Sequence, residues 1–219
     1  MEQEIKIEQS EDLAYWVGLM QTDGCIYKRK ECKSWVISFT IGTKSLPMLE
    51  KFKLLTKSMF GIDGKITKKS EGIWQYRVTV TKLLEVFREL GIKFGDPPKP
   101  PIWCQSSSET TGSYLAAVID GDGDIRVKRP KYPQCVIRIH SGREQQDLIK
   151  SIEEILKCSI SVTPRYRVVE YKGRIIKGLC FDLEFYVSSK SEDFIKTYVL
   201  PKMTIKHKVQ KLSEFLSNN

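Results

Sequence analysis

The chain makes one statement twice, and that repetition constrains its fold more than any other feature. Residues 13–24 read LAYWVGLMQTDG and residues 114–124 read YLAAVIDGDGD. Each is an apolar run of helical length closed by an acid and a glycine, so that Asp23 and Asp122 hold the same place in the two copies. The segments downstream of the two runs are duplicated as well. After Gly24, residue periodicity predicts strands over 25–30 and 34–41, a helix over 46–60, strands over 65–69 and 74–80, and a helix over 82–90. After Gly123 it predicts strands over 125–129 and 135–141, a helix over 145–156, strands over 160–169 and 175–187, and a helix over 191–198. Gly42 and Gly142 mark the same turn, and Met48, Leu49, Phe52 and Leu55 match Leu148, Ile149, Ile152 and Ile155 at helical spacing. The order αββαββα therefore runs twice, giving an α+β chain made by internal duplication. The repeats are placed at 1–96 and 113–219, with a linker over 97–112 where prolines and a polar Ser/Thr run interrupt the pattern.

Ser10 is positioned to cap the first apolar helix, with Glu11 and Asp12 in the turn where the helix dipole favours acids. Gly18 and Ala117 are small enough for a close helix crossing, and Gly24 and Gly123 suit helix termination. Asp23 and Asp122 then stand at helix C-termini, where free carbonyls add partial negative charge and favour a hard divalent cation. Two such carboxylates at one pseudo-symmetry axis suit the hydrolysis of phosphodiesters on both strands of a duplex.

Aligned without gaps, residues 16–24 and 115–123 resemble the LAGLIDADG motif of homing endonucleases. The second copy is closer; the first departs at Gln21, where that family usually has an acid, and the second has Ala117 where Gly is usual. The resemblance covers essentially the whole chain. It implies a monomer in which two antiparallel sheets form a saddle over double-stranded DNA, with the two motif helices packed at the interface between repeats. It also implies that Asp23 and Asp122, with the carbonyls of Thr22 and Gly121, hold Mg²⁺ or Mn²⁺, that Ca²⁺ binds without supporting efficient cleavage, and that the product is a staggered double-strand break. Lys206 matches the family's lysine before the final helix, and its first-half counterpart is Trp103, which leaves the two sites unequal. Thr43 and Arg143 fall near the centre.

Charge agrees with a polyanionic partner: 36 Lys and Arg against 27 Asp and Glu give a net charge of +9. Period-two alternation puts Trp35, Ile37, Phe39 and Ile41 on one strand face and Ser38 and Thr40 on the other. In the second repeat Cys135, Ile137 and Ile139 oppose Gln134, Arg138 and His140. With Tyr27, Arg29, Gln75, Arg77, Arg126, Lys128, Arg165 and Arg167, these polar faces carry side chains that pair with base edges and phosphates. Arg138 is expected to read bases, and Lys206 and Lys208, in a loop before the last helix, to contact phosphates.

Other chemistries are set aside. The six cysteines form no CxxC pair, so zinc is excluded and reduced thiols in an intracellular compartment are expected. The two histidines, His140 and His207, are expected to be contact residues, leaving the chemistry to carboxylates and metal. Asp120, Asp122 and Asp124 open like a calcium loop, but Ile125 and Lys131 occupy the positions that need Gly and Glu. The acidic N-terminus has no signal-peptide core, and no apolar run could span a bilayer, so no membrane partner is expected. Asn is confined to Asn218 and Asn219 while Lys, Glu and Ile are plentiful, a bias of hot habitats; with no splicing signals, a free-standing, intron-encoded protein of a thermophilic prokaryote or archaeon is expected. Three functional readings remain open: a site-specific endonuclease, an RNA-binding maturase acting on its host intron, and a DNA-binding protein that has lost cleavage.

Overall fold

The computed structural model describes residues 7–92, 99–128, 131–171 and 173–218. Helix α1 (Glu11–Thr22) begins where the Ser10 hydroxyl accepts from the Leu13 amide at 3.3 Å. The first repeat continues through β1 (Gly24–Lys28), β2 (Trp35–Gly42), α2 (Leu46–Phe60), β3 (Lys65–Ser70), β4 (Ile73–Thr79) and α3 (Leu84–Glu89). The second runs through α4 (Ser108–Asp122), β5 (Gly123–Lys128), β6 (Gln134–Ser141), α5 (Gln146–Leu156), β7 (Ser161–Tyr171) and β8 (Arg174–Tyr186). The next helical stretch starts as α6 (Glu192–Phe194), widens to a π-helix over Ile195–Val199 and tightens to a 3₁₀ turn over Leu200–Lys202. Helix α7 (Lys206–Ser217) follows. Each repeat contributes one antiparallel sheet, ordered β1-β2-β4-β3 and β5-β6-β8-β7. The registers also correspond: Gly24 is opposite Phe39 and Gly123 opposite Ile139, while Thr40 faces Gln75 and His140 faces Asp182.

Alternation along the strands builds the core. Ile37, Phe39, Tyr76 and Val78 turn inward onto Met48, Leu49 and Phe52 of α2, and Ile137, Ile139, Leu183 and Phe185 onto Leu148, Ile149 and Ile152 of α5. Trp16 stacks on Phe52 with ring centroids 5.1 Å apart, and its indole N–H donates to Thr56 Oγ1 at 2.9 Å, so the largest buried side chain hides no unpaired polar atom. Burial of each such side chain stabilises the fold by roughly 1.5–3 kcal/mol. Residues Leu13–Gln21 and Thr110–Asp120 are buried on every side of α1 and α4. Each motif helix has its own repeat on one side and the other motif helix on the other, hence the lack of a polar face. The crossing is close: a Cβ on Gly18 would lie 2.7 Å from Ala117 Cβ and 2.8 Å from the Tyr114 carbonyl oxygen.

Two boundaries differ from expectation. Helix α4 starts at Ser108, inside the span expected to be linker, because the Ser107 hydroxyl caps it by accepting from the Thr110 amide at 3.2 Å. The Thr110 and Thr111 hydroxyls then donate to the Cys104 carbonyl at 3.2 and 2.8 Å; in sequence these residues pass for a polar loop. Gly24 and Gly123 do not end their helices in the left-handed conformation. Gly123 is extended, at φ −86° and ψ 157°, and each glycine is already the first residue of a strand. The start of the expected linker, at 97–98, and residue 129 at the end of an expected strand lie outside the described residues. No helix among the described residues is long and apolar enough to cross a membrane.

Candidate active site and nucleic-acid interface

The ends of α1 and α4 meet. A Cβ on Gly121 would lie 2.7 Å from Thr22 Cβ and 3.0 Å from Asp23 Oδ2, so the last turn of α4 rests against the acid that ends α1. Asp122 is the final residue of α4 and Asp23 the cap of α1. Both are half-buried, and no hydrogen bond or ion pair to either carboxylate is found among the described residues. Burial raises the pKa of both. Asp122 is pushed up to about 7 by burial first and by Asp23 second, with Lys208 opposing; Asp23 is raised by burial, again opposed by Lys208. Two carboxylates thus meet with no hydrogen-bond donor of their own among the described residues, their repulsion offset only in part by Lys208, each at a helix C-terminus where the dipole adds negative potential. Among the described residues no three His, Cys, Asp or Glu side chains converge on a metal position. A cation here would take two carboxylates and complete its shell with backbone carbonyls and water or phosphate oxygens, the hard-oxygen set that suits Mg²⁺.

The nearby cation is Lys208. It lies in the first turn of α7, buried, and its ammonium donates to the carbonyls of Ile119 and Asp120 at 2.8 and 2.7 Å. Burial lowers its pKa, while Asp120, Asp23, Asp122 and Asp124 work to raise it. Asp120 in turn fixes the start of α7: it accepts from the amides of Thr204 at 2.6 Å and Ile205 at 3.2 Å, and from the Tyr15 hydroxyl at 2.6 Å. Across the crossing the Tyr114 hydroxyl donates to Gln21 at 2.8 Å. The sixth motif position is therefore a cross-helix acceptor in both copies. An amide suffices at Gln21, whereas Asp120 also holds backbone amides. Lys206 and Lys208 belong to α7 and not to a loop before it; Lys206 is exposed, and Lys208 is the lysine among the acids. The signal was legible: Ile205, Lys208, Leu212 and Phe215 fall at helical spacing on the buried stripe.

The polar face of the first sheet holds Tyr27, Ser38, Thr40, Gln75 and Arg77 in register, joined by Lys65 and Thr67 of β3, two residues missed from sequence because β3 was not assigned a face. Gln75 donates its amide to the hydroxyls of Ser38 and Thr40, both at 3.1 Å. Arg29 is exposed just past β1, and Thr43, just past β2, donates its amide and hydroxyl to the Gly72 carbonyl. The second sheet differs in kind, because Asp124, Asp182 and Glu184 share the face with Arg126, Lys128, Gln134, Arg138, His140, Arg165 and Arg167. Arg138, expected to enter a groove, has a side chain only 5% exposed; it pairs with Asp124 at 3.0 Å and Asp182 at 3.3 Å. Arg126 pairs with Asp124 at 2.7 Å, Lys128 with Glu184 at 3.6 Å, and Arg165 with Asp182 at 2.5 Å. Arg143 receives the Ser141 hydroxyl on its carbonyl at 2.6 Å. The acids of β8 come opposite these bases only through the β6–β8 register, which the sequence does not display.

Two antiparallel sheets flank a pair of motif helices that bring one acid each to a common end, a fold similar to that of LAGLIDADG homing endonucleases. Residues 10–90 match the family model described as LAGLIDADG-like domain. Among solved structures the chain is similar to mesophilic variants of the homing endonuclease I-DmoI, at 16% identity and TM-score 0.57 over 87% of this chain and 96% of that one. It is similar to I-DmoI in complex with DNA and Ca, at 16% identity and TM-score 0.54 over 86% and 87%. It is also similar to the homing endonuclease I-WcaI bound to its DNA recognition sequence, at 13% identity and TM-score 0.55 over 94% and 88%. No curated protein matches the chain in sequence.

Proposed function

We propose that this chain is a monomeric, site-specific DNA endonuclease that uses a divalent cation to make a staggered double-strand break. The observation that carries the proposal is the meeting of Asp23 and Asp122, neither with a hydrogen-bond donor among the described residues, where the two motif helices end. In this reading the two carboxylates and the carbonyls of Thr22 and Gly121 hold the cation. Bound Mg²⁺ or Mn²⁺ supplies a water of lowered pKa and stabilises charge on the leaving 3′ oxygen. The carboxylates would be ionised when they hold the cation, and Lys208 limits their mutual repulsion while its hydrogen bonds to Ile119 and Asp120 lock α7 against α4. Lys206, exposed beside it, serves as a phosphate contact. Tyr27, Arg29, Arg77 and Lys65 of the first half and Gln134 and Arg167 of the second present donors to the duplex, while Ser38, Thr40 and Gln75 form a hydrogen-bonded row. The complexes of I-DmoI with DNA and Ca and with DNA and Mn support duplex and divalent cation as partners.

The test uses a duplex that the protein selects from a randomised pool, carried on a plasmid and incubated with Mg²⁺, Mn²⁺, Ca²⁺ or EDTA. Linear product with staggered ends is expected in Mg²⁺ and Mn²⁺, binding without efficient cutting in Ca²⁺, and no product in EDTA. Cutting in EDTA, or an intact plasmid in every metal, contradicts the proposal.

A further inference from the structure

The two half-sites are built around different hubs. Thr40 and His140 hold equivalent positions, each one residue past the strand residue opposite the glycine that comes after a motif acid. Opposite Thr40 stands Gln75, a neutral amide; opposite His140 stands Asp182, whose side chain is 2% exposed. Asp182 Oδ1 lies 2.7 Å from His140 Nδ1, while its Oδ2 takes Arg138 and Arg165. A carboxylate on Nδ1 orients the ring and, in its neutral form, selects the tautomer that donates from Nδ1 and leaves Nε2 to accept. The His140 side chain remains half-exposed and opens onto a cleft that Gly121, Asp122, Ser141 and Arg167 also line. An acid, an oriented imidazole and the motif carboxylate thus share one cavity in the second repeat, where the first repeat offers a hydroxyl.

We propose that His140 is a catalytic residue of the second half-site, with Asp182 as its positioning partner: Nε2 takes the proton of the water that attacks the phosphate cut on the Asp122 side. The new bond is water oxygen to phosphorus, the bond broken is phosphorus to the 3′ oxygen, and the leaving oxygen is protonated by solvent. The charged groups around the ring are Asp182, Arg138, Arg165 and Arg167, with Asp122 across the cleft. Because Thr40 cannot play this part, the two strands have different intrinsic cleavage rates. The inference rests on the endonuclease reading.

The experiment is single-turnover cutting, in Mg²⁺, of the selected duplex with each strand labelled separately. His140→Ala and His140→Gln should each slow one strand about 100-fold or more, within the range for loss of a general base. The other strand and duplex affinity should stay within about three-fold, and added imidazole should restore the slowed strand in His140→Ala. Equal slowing of both strands, loss confined to affinity, or no rescue by imidazole overturns the assignment and leaves the endonuclease reading intact. An unaltered protein that cuts neither strand removes both.

Discussion

Asp122→Asn should make the metal-free protein more stable, and the size of the effect can be worked out from the site. The carboxyl is pushed up to about 7 from an ordinary 3.8 by burial and by Asp23. At about 1.36 kcal/mol per pH unit, ionising it in the folded state costs about 4 kcal/mol more than in the unfolded chain. The group keeps some solvent contact, and screening reduces the repulsion, so about half of that, roughly 2 kcal/mol, is the expected effect. The folded state binds this proton more tightly than the unfolded state does. Its contribution is therefore fully present below pH 4, declines as the pH rises through about 7, and is gone above that. Thermal melts in EDTA from pH 4 to pH 9 should show the variant matching the parent at the acid end and exceeding it by about 4–8 °C at pH 8, at about 2–4 °C per kcal/mol for a chain of this size. Excess Mg²⁺ should reverse the order, since only the parent gains binding energy in full. A variant that melts below the parent at pH 8 in EDTA, or a difference independent of pH, would contradict this.

Gly18→Val should destabilise by at least about 1–3 kcal/mol, the cost of overpacking, because its Cβ has no room at the helix crossing; a melt within about 2 °C of the parent, less than a 1 kcal/mol loss would produce, would contradict this. Arg138→Ala should cost about 3 kcal/mol by stranding part of the charge on buried Asp182, whereas Arg77→Ala should leave the melt unchanged and relax preference at one or two base pairs, each worth about 1–3 kcal/mol. Denaturation curves and binding to single-base variants of the selected duplex distinguish the two. Sedimentation should give one chain per duplex, and a dimer on a single site would contradict the monomer.

Much of the architecture was legible because its determinants are local. Helix α2 was expected over 46–60 and is Leu46–Phe60, since Met48, Leu49, Phe52 and Leu55 trace a stripe at helical spacing and Gly61 ends it at φ 65°. The strand faces were readable from alternation, and the closeness of Gly18 to Ala117 from residue size. What escaped was long-range. Arg138 looks like a groove reader on its own strand and becomes a buried ion-pair partner only when β8 brings Asp182 and Glu184 alongside. Asp120 and Asp122 are indistinguishable by type, yet one is taken up by Tyr15 and two backbone amides and the other is left bare. The choice of Lys206 rested on the motif, while the buried lysine is two residues on, on the face of α7 that meets α4. The start of α4 was hidden because its threonine hydroxyls satisfy the Cys104 carbonyl, a contact local propensity does not encode.

In the proposed function two acids at equivalent positions, delivered by two equivalent helices, are what cutting requires and binding does not. The most direct test is the strand-resolved assay on Asp23→Asn and Asp122→Asn with the selected duplex in Mg²⁺. Both variants should bind within a few fold of the unaltered protein and produce no double-strand break. Full double-strand cutting by either variant would contradict the account.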